Sequence, residues 1–344
     1  MIVILKAEVE RADTEALVLE LQAEGFSTSL VQTGEKLLID AIGVPTHLVV
    51  GIAKRIKANP LVADVVDIGS PLKLVAGTST KPVLVGKIAI GGKEVVVMAG
   101  PCTVESEDQI HCTAKAVSEA GATFLRGGAY KPSTSPYGFQ GLGIEALQWL
   151  RAAANANGLK VITEVMDPRR VDEVSQYADV LQLGSRNMQN FDLLKEVGRT
   201  QIPVLLKRGL AAKLSEWLLA AEYIANEGNE NIILCERGIR WFDSYTRNVL
   251  DIAVVPAIKA LSHLPVIVDP SHAAGRRDLI GPLSAAAVAV GADGLLIEVH
   301  PNPGQAKKDG AQSLTFAEFS DAMNQIDTVA NAIGRPRLLL VGSQ

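Results

Sequence analysis

A few side chains scattered along the 344 residues carry more chemistry than packing requires. Cys102, His272 and Glu298 each close a short apolar run, in GPCTVES, VDPSHAAG and LLIEVHP, and Asp309 follows a few positions after the last of these. A thiolate, an imidazole and two carboxylates make a mixed sulfur, nitrogen and oxygen donor set suited to a divalent ion such as Mn, Fe, Co or Zn. Taken singly, a strand-end cysteine is more often a small packed group, and a lone His or Glu a solvated loop residue. Their shared position after apolar runs is what points to a metal. A second set is cationic: Arg126, Lys131, Arg186, Lys207 and Arg237 also end apolar runs, together with Ser185 and one carboxylate, Glu164. On a chain of formal net charge −5, such cations at one rim repel each other unless an anion joins them. Any one could pair with a nearby acid, but the group calls for a substrate with several negative charges. Arg grips phosphate or carboxylate through a planar fork, Lys as a point charge. The implied chemistry is a metal-assisted carbonyl addition between phosphorylated partners: a Lewis acid polarises the carbonyl and the cationic wall holds the reactants close. No Schiff base is needed, since phosphate binding accounts for Lys131 and Lys207.

Such residues need a scaffold that brings distant segments to one rim. Apolar runs begin near Val95, Thr123, Val161, Val180, Val204, Ile232, Val266 and Leu295, and most gaps hold a helical pattern, as at 108–120, Ile144–Ala156 and 215–226. Eight strands alternating with helices over about 250 residues is the arithmetic of a (β/α)₈ TIM barrel, whose chemistry gathers where strands end. Closure makes strands seven, eight and one neighbours, so His272 and Glu298 can converge on Cys102. A hairpin precedes the barrel, its first strand at 84–90 and its turn at Gly91-Gly92. A doubly wound open sheet lacks support: there is no G-x-G-x-x-G after the first strand and no G-x-x-x-x-G-K-[ST]. Cys112, within a helical pattern, and Cys235, two positions before Arg237 and so facing the interior below the rim, are read as packing residues.

Residues 1–75 read as a separate βαββαβ unit, the ferredoxin-like order: strands at 2–7, 26–32, 36–42 and 62–68, a helix carrying Leu17 and Leu21 and bounded by Gly25, and a helix at 45–58. The Gly77 to Pro82 stretch then reads as a linker spanning 76–83, with the barrel at 84–344.

Composition excludes other classes. A mildly acidic chain with no long run of like charge is not a nucleic-acid binder, and 48% hydrophobic residues rule out a disordered chain. Three cysteines do not make a disulfide framework and imply a reducing, cytoplasmic setting. Lys6 interrupts the N-terminal apolar run too early for a signal peptide, and Gly291, Asp293 and Glu298 break the richest apolar stretch, so no membrane span is expected.

In order, the strings GPCTVES, RGGAYKPSTSPYGFQGLG, ITEVMDP, QLGSRNMQN, LLKRG, ILCERGIR, VDPSHAAGRRDL and IEVHPNP closely resemble the 3-deoxy-D-arabino-heptulosonate 7-phosphate (DAHP) synthase family over about residues 84–335. The N-terminal unit is similar, by element order, to the ferredoxin-like regulatory domain of one branch. The resemblance implies condensation of phosphoenolpyruvate with erythrose 4-phosphate, the entry to the shikimate pathway, in a homotetramer whose N-terminal unit either binds tyrosine or phenylalanine as a feedback inhibitor or serves only oligomer assembly. It implies Cys102, His272, Glu298 and Asp309 as metal ligands and Lys131, Glu164 and His272 as catalytic residues. Arg126, Lys131, Ser185, Arg186, Lys207 and Arg237 would surround phosphoenolpyruvate, and Lys131, Pro132, Ser133, Thr134 and Ser135 would meet the aldose phosphate. One position departs: the family loop reads Lys-Pro-Arg-Thr, and Ser133 replaces its arginine. Losing a charge-assisted hydrogen bond weakens binding by about one to two orders of magnitude, unless hydroxyls at 133–135 or another cation such as Arg276 compensate. The sister 3-deoxy-D-manno-octulosonate 8-phosphate synthases, which use arabinose 5-phosphate, carry Lys-Ala-Asn-Arg-Ser there, unlike KPSTSPY. A non-catalytic metabolite binder would have no need of the four metal donors.

Overall fold

The computed structural model describes residues 1–6, 9–33, 36–44, 46–66, 72–133 and 135–339. They form two compact units, Met1–Lys73 and Leu74–Gln344. In the first, β1 (Ile2–Leu5), α1 (Arg11–Ala23), β2 (Ser27–Thr33), β3 (Lys36–Ile42), α2 (Thr46–Lys57) and β4 (Val62–Val66) follow the ferredoxin-like order. The sheet is antiparallel, in the order β2-β3-β1-β4. Alternation along β1 buries Val3 and Leu5 and leaves Ile2 and Ile4 half-exposed, so one sheet face is apolar. Thr14, Leu17 and Leu21 recur on one side of α1, and Leu17, Leu21 and Ile56 of the two helices pack with Val3, Ile39 and Val62. Residues 67 and 68, expected to extend β4, lie outside the described residues.

In the second unit, parallel strands β7 (Val96–Gly100), β8 (Phe124–Arg126), β9 (Lys160–Glu164), β10 (Val180–Leu183), β11 (Val204–Lys207), β12 (Ile232–Glu236), β13 (Val266–Val268) and β14 (Gly294–Glu298) close into a barrel in chain order. Closure runs through β14 and β7, with Glu298 opposite Gly100. Helices α3 (Glu107–Glu119), α4 (Ile144–Ala156), α5 (Val171–Ser175), α6 (Phe191–Gly198), α7 (Leu214–Asn226), α8 (Val254–Leu261), α9 (Pro270–Ala274), α10 (Ile280–Ala289) and α11 (Phe316–Ala332) lie between and after the strands. Strands covered on both faces have no reason to alternate polar and apolar residues, and for that reason they were legible as continuous apolar runs.

The hairpin differs from its sequence reading. Residues 84–90 are not one strand: β5 (Val83–Val85) and β6 (Ile88–Ile90) pair antiparallel around Gly86-Lys87. Gly86 sits at φ +62, a left-handed turn conformation glycine adopts without a Cβ penalty, so the chain reverses there before Gly91-Gly92. Val83, Val85, Ile88 and Ile90 join Val96, Met98, Phe124, Ile162, Leu205, Ile233, Cys235 and Leu296 in one core, so the hairpin closes the barrel interior. The expected linker is docked as well: Gly77 and Lys81 donate their amides to the carbonyls of Leu261 and His263.

Ile90 is fully buried in this plug. Ile90→Ala should lower the barrel's unfolding free energy by about 2–5 kcal/mol, measured by urea denaturation, while leaving the opposite mouth unaltered.

Candidate active site

The C-terminal ends of the strands deliver the ionisable side chains. Cys102 follows β7, Glu298 ends β14, and Asp309 comes from the loop beyond it. Their donor atoms lie within 4.8 Å of one another, with Cys102 Sγ 3.2 Å from Asp309 Oδ2. His272, on α9 just past β13, places Nε2 3.5 Å from Glu298 Oε1 and 3.8 Å from Asp309 Oδ2. A metal with ligands at about 2.0–2.3 Å has donor–donor edges of about 3–4 Å, so these residues fit a divalent ion. Asp309 adopts φ 52, the one non-glycine residue with positive φ among those described, a conformation Asp tolerates better than most.

Hydrogen bonds fix the donors from behind. His272 Nδ1 lies 2.8 Å from Asp269 Oδ2, so the ring proton sits on Nδ1 and the Nε2 lone pair faces the cluster. Burial pushes the His272 pKa down against the pull of Asp269 and Glu298. Asp269 also accepts from Lys207 Nζ. Burial opposes its ionisation, but His272 and Lys207 outweigh it and hold the carboxyl well below the usual range. Glu298 is bonded by Arg126 and, at 2.6 Å, by Gln312 Nε2. Burial again opposes the charge, and His272 and Arg126 prevail. Asp309 accepts from Arg247 Nη1 at 3.1 Å; burial is outweighed by His272 and Arg247, and the carboxylate stays ionised. Burial drives the Cys102 thiol well above its ordinary value despite Lys131.

One cavity of about 310 Å³ opens beside this cluster. His272 and Asp309 line it with Lys131, Pro132, Ser133, Glu164, Ser185, Arg186, Lys207 and Arg237. Lys131 Nζ is 3.1 Å from Glu164 Oε2. Gly184 makes room for that carboxylate, since a Cβ there would lie 2.1 Å from Glu164 Oε1. Two expected contributors stand elsewhere. Arg126 does not line the cavity: it is buried against Glu298, with Nη2 unpartnered among the described residues. Ser135 is exposed and accepts the amide of Tyr137 at 3.3 Å, a local turn contact. Thr134 lies outside the described residues. Arg276, suggested as a compensating cation, bonds Asp278 and stacks on Tyr245 away from the cavity.

Sequence reasoning missed Gln182, Arg240, Arg247, Asn248 and Lys308, all on the cavity wall, and Gln312 and Asp269 behind the donors. Asp269 had a signal, because Asp-Pro three residues before His272 is a helix start whose side chain accepts the His272 amide at 2.9 Å. Gln182 lies inside the apolar run of β10, and the others sit in loops without periodicity.

A closed (β/α)₈ barrel with such a mouth has the architecture of a barrel enzyme. Residues 66–332 match the DAHP synthetase I family and residues 1–70 the DAHP synthase ferredoxin-like domain, and the chain belongs to that family. It is 45% identical over 337 residues to a phospho-2-dehydro-3-deoxyheptonate aldolase of Thermotoga maritima, covering 97% of this chain and 99% of the relative. A 2-dehydro-3-deoxyphosphooctonate aldolase of Syntrophotalea carbinolica is 30% identical over 261 residues, covering 70% of this chain and 93% of the relative. The solved structure of a DAHP synthase from Thermotoga maritima superposes with a TM-score of 0.77 at 44% identity, covering 98% of this chain and 99% of that one. A truncated form of the Thermotoga maritima enzyme gives 0.72 at 46% identity over 77% of this chain and 98% of that chain.

Burial separates the cysteines. Cys102 and Cys235 are buried with raised thiol pKa values, and Cys112 is exposed. Iodoacetamide at pH 7.5 on metal-free protein should modify Cys112 first and spare the other two, as read by peptide mass spectrometry; faster modification of Cys102 would contradict its protonated state.

Proposed function

We propose that this chain condenses phosphoenolpyruvate with erythrose 4-phosphate to give 3-deoxy-D-arabino-heptulosonate 7-phosphate and phosphate, the first step of the shikimate pathway. One observation carries the reading: a single cavity is lined by His272 and Asp309 of the donor cluster and by Lys131, Arg186, Lys207 and Arg237. Cys102, His272, Glu298 and Asp309 would hold a divalent ion, Mn, Fe, Co or Zn, which when bound polarises the aldehyde oxygen. Availability decides which ion this donor set takes.

The chain's own groups do the rest. Arg186, Lys207, Arg237 and Ser185 bind the phosphate and carboxylate of phosphoenolpyruvate, and Arg126 acts from behind through Glu298. Lys131 lines the cavity and pairs with Glu164. Burial opposes its charge, but Cys102 and Glu164 outweigh it, so it remains an ammonium that hydrogen-bonds the aldehyde oxygen as charge develops. Glu164 orients the attacking water. The methylene carbon bonds to the aldehyde carbon, whose oxygen takes up a proton to become a hydroxyl. Water adds at the phosphate-bearing carbon, losing a proton, and the new hydroxyl then gives its second proton to the departing phosphate as the carbon–oxygen bond breaks, leaving a ketone and inorganic phosphate. Pro132 and Ser133 on the cavity wall would meet the aldose phosphate.

The match of residues 1–70 to a DAHP synthase ferredoxin-like domain supports a regulatory role, and tyrosine or phenylalanine is the effector we propose for it. A homotetramer belongs to the same reading. The unpaired cysteines support a reducing cytoplasmic setting.

Phosphoenolpyruvate consumption tests this, with erythrose 4-phosphate and arabinose 5-phosphate in parallel. Chelation should lower turnover with erythrose 4-phosphate at least about tenfold, and Mn²⁺ should restore it. Turnover indifferent to chelation, or seen with arabinose 5-phosphate alone, would contradict the reading. In the same assay tyrosine or phenylalanine should inhibit the full chain; indifference to both would remove them as effectors.

A further inference from the structure

Lys308 has a role that neither its neighbours nor its loop explain. The ammonium lines the cavity and donates to Ser133 Oγ at 2.9 Å. The other lysines of the wall face acids: Lys131 pairs with Glu164 and Lys207 with Asp269. Arg247 likewise pairs with Asp309. Lys308 has no carboxylate within ion-pairing distance among the described residues, and its partner is a neutral hydroxyl. An ammonium held at a cavity wall against a neutral acceptor keeps its charge available to an anion.

The loop that carries it is fixed on two sides. The amide of Lys307 donates to Glu105 Oε1 at 2.8 Å, and its ammonium lies 4.7 Å from the centre of the Phe139 ring. Phe139 and Ser133 belong to the loop between β8 and α4, so two successive lysines bridge from the loop after β14 to the segment that begins at Lys131. Lys308 therefore reaches, from the loop after β14, the position where Ser133 offers no charge.

We propose that Lys308 binds the phosphate of the aldose substrate and is the specificity-determining cation at that end of the cavity, with the Ser133 hydroxyl directing its ammonium. The assignment rests on the condensation reading above. As a point charge, Lys308 would set affinity for the phosphorylated aldose and leave binding of phosphoenolpyruvate to Arg186, Lys207 and Arg237.

Steady-state kinetics of the Mn²⁺-loaded full chain test it with K308M, K308R and the double variant S133R/K308M, each shown to keep the wild-type melting temperature. K308M should raise KM for erythrose 4-phosphate about ten- to a hundredfold with KM for phosphoenolpyruvate unchanged. K308R, and S133R/K308M with its cation moved across the contact, should recover most of the loss. If wild type turns over and K308M keeps the wild-type KM for erythrose 4-phosphate, or raises both KM values alike, Lys308 is not the phosphate ligand. Wild type inactive with erythrose 4-phosphate would instead overturn the condensation reading and this assignment with it.

Discussion

Asp269 is buried, accepts from His272 Nδ1 and from Lys207 Nζ, and caps the short helix that carries His272. A buried charge costs several kcal/mol unless it is paired and hydrogen-bonded, and this carboxylate meets that requirement for two halves of the site at once. It fixes the imidazole that faces the donor cluster and neutralises a lysine of the anion wall. Arg126 with Glu298 and Lys131 with Glu164 repeat the pattern. These pairs hold many ionised groups together, yet the cations lining the cavity still outnumber its carboxylates, and that excess is what an anionic ligand meets.

The barrel makes this possible by bringing strand ends to one level. Glu298 lies opposite Gly100 across the closing pair of strands, so two donors meet although their segments are far apart in the chain. The other end is filled by the β5–β6 hairpin, whose apolar side chains continue the interior core. Packing is thereby concentrated at one end of the barrel and polar chemistry at the other, so the mouth is free to carry groups that would destabilise a core.

Much of this was legible in sequence because covered parallel strands must be apolar throughout. The runs beginning near Val95, Thr123 and Leu295 start within a residue of β7, β8 and β14, and Cys235 packs inside as two-residue alternation requires. The donor residues and most of the cations were found by the same logic, since each follows such a run. Most of what escaped lies where no period operates. Arg240, Arg247 and Asn248 sit in the long segment after β12, and Lys308 in the loop after β14. The hairpin turn was misplaced because Gly91-Gly92 is the stronger local signal, whereas the backbone reverses at Gly86. Arg126 closes its strand as expected, yet the pairing with Glu298 that draws it off the cavity wall depends on barrel closure.

The central claim is that one mouth holds a metal and an anionic substrate side by side on opposite faces of the Asp269 hub. Anomalous diffraction from crystals soaked with Mn²⁺ and phosphoenolpyruvate tests it most directly. The expected result is an ion bonded at about 2.0–2.6 Å to Cys102, His272, Glu298 and Asp309, with the substrate phosphate against Arg186, Lys207 and Arg237. An ion bound away from those four side chains, or a phosphate seated off that wall, would contradict it.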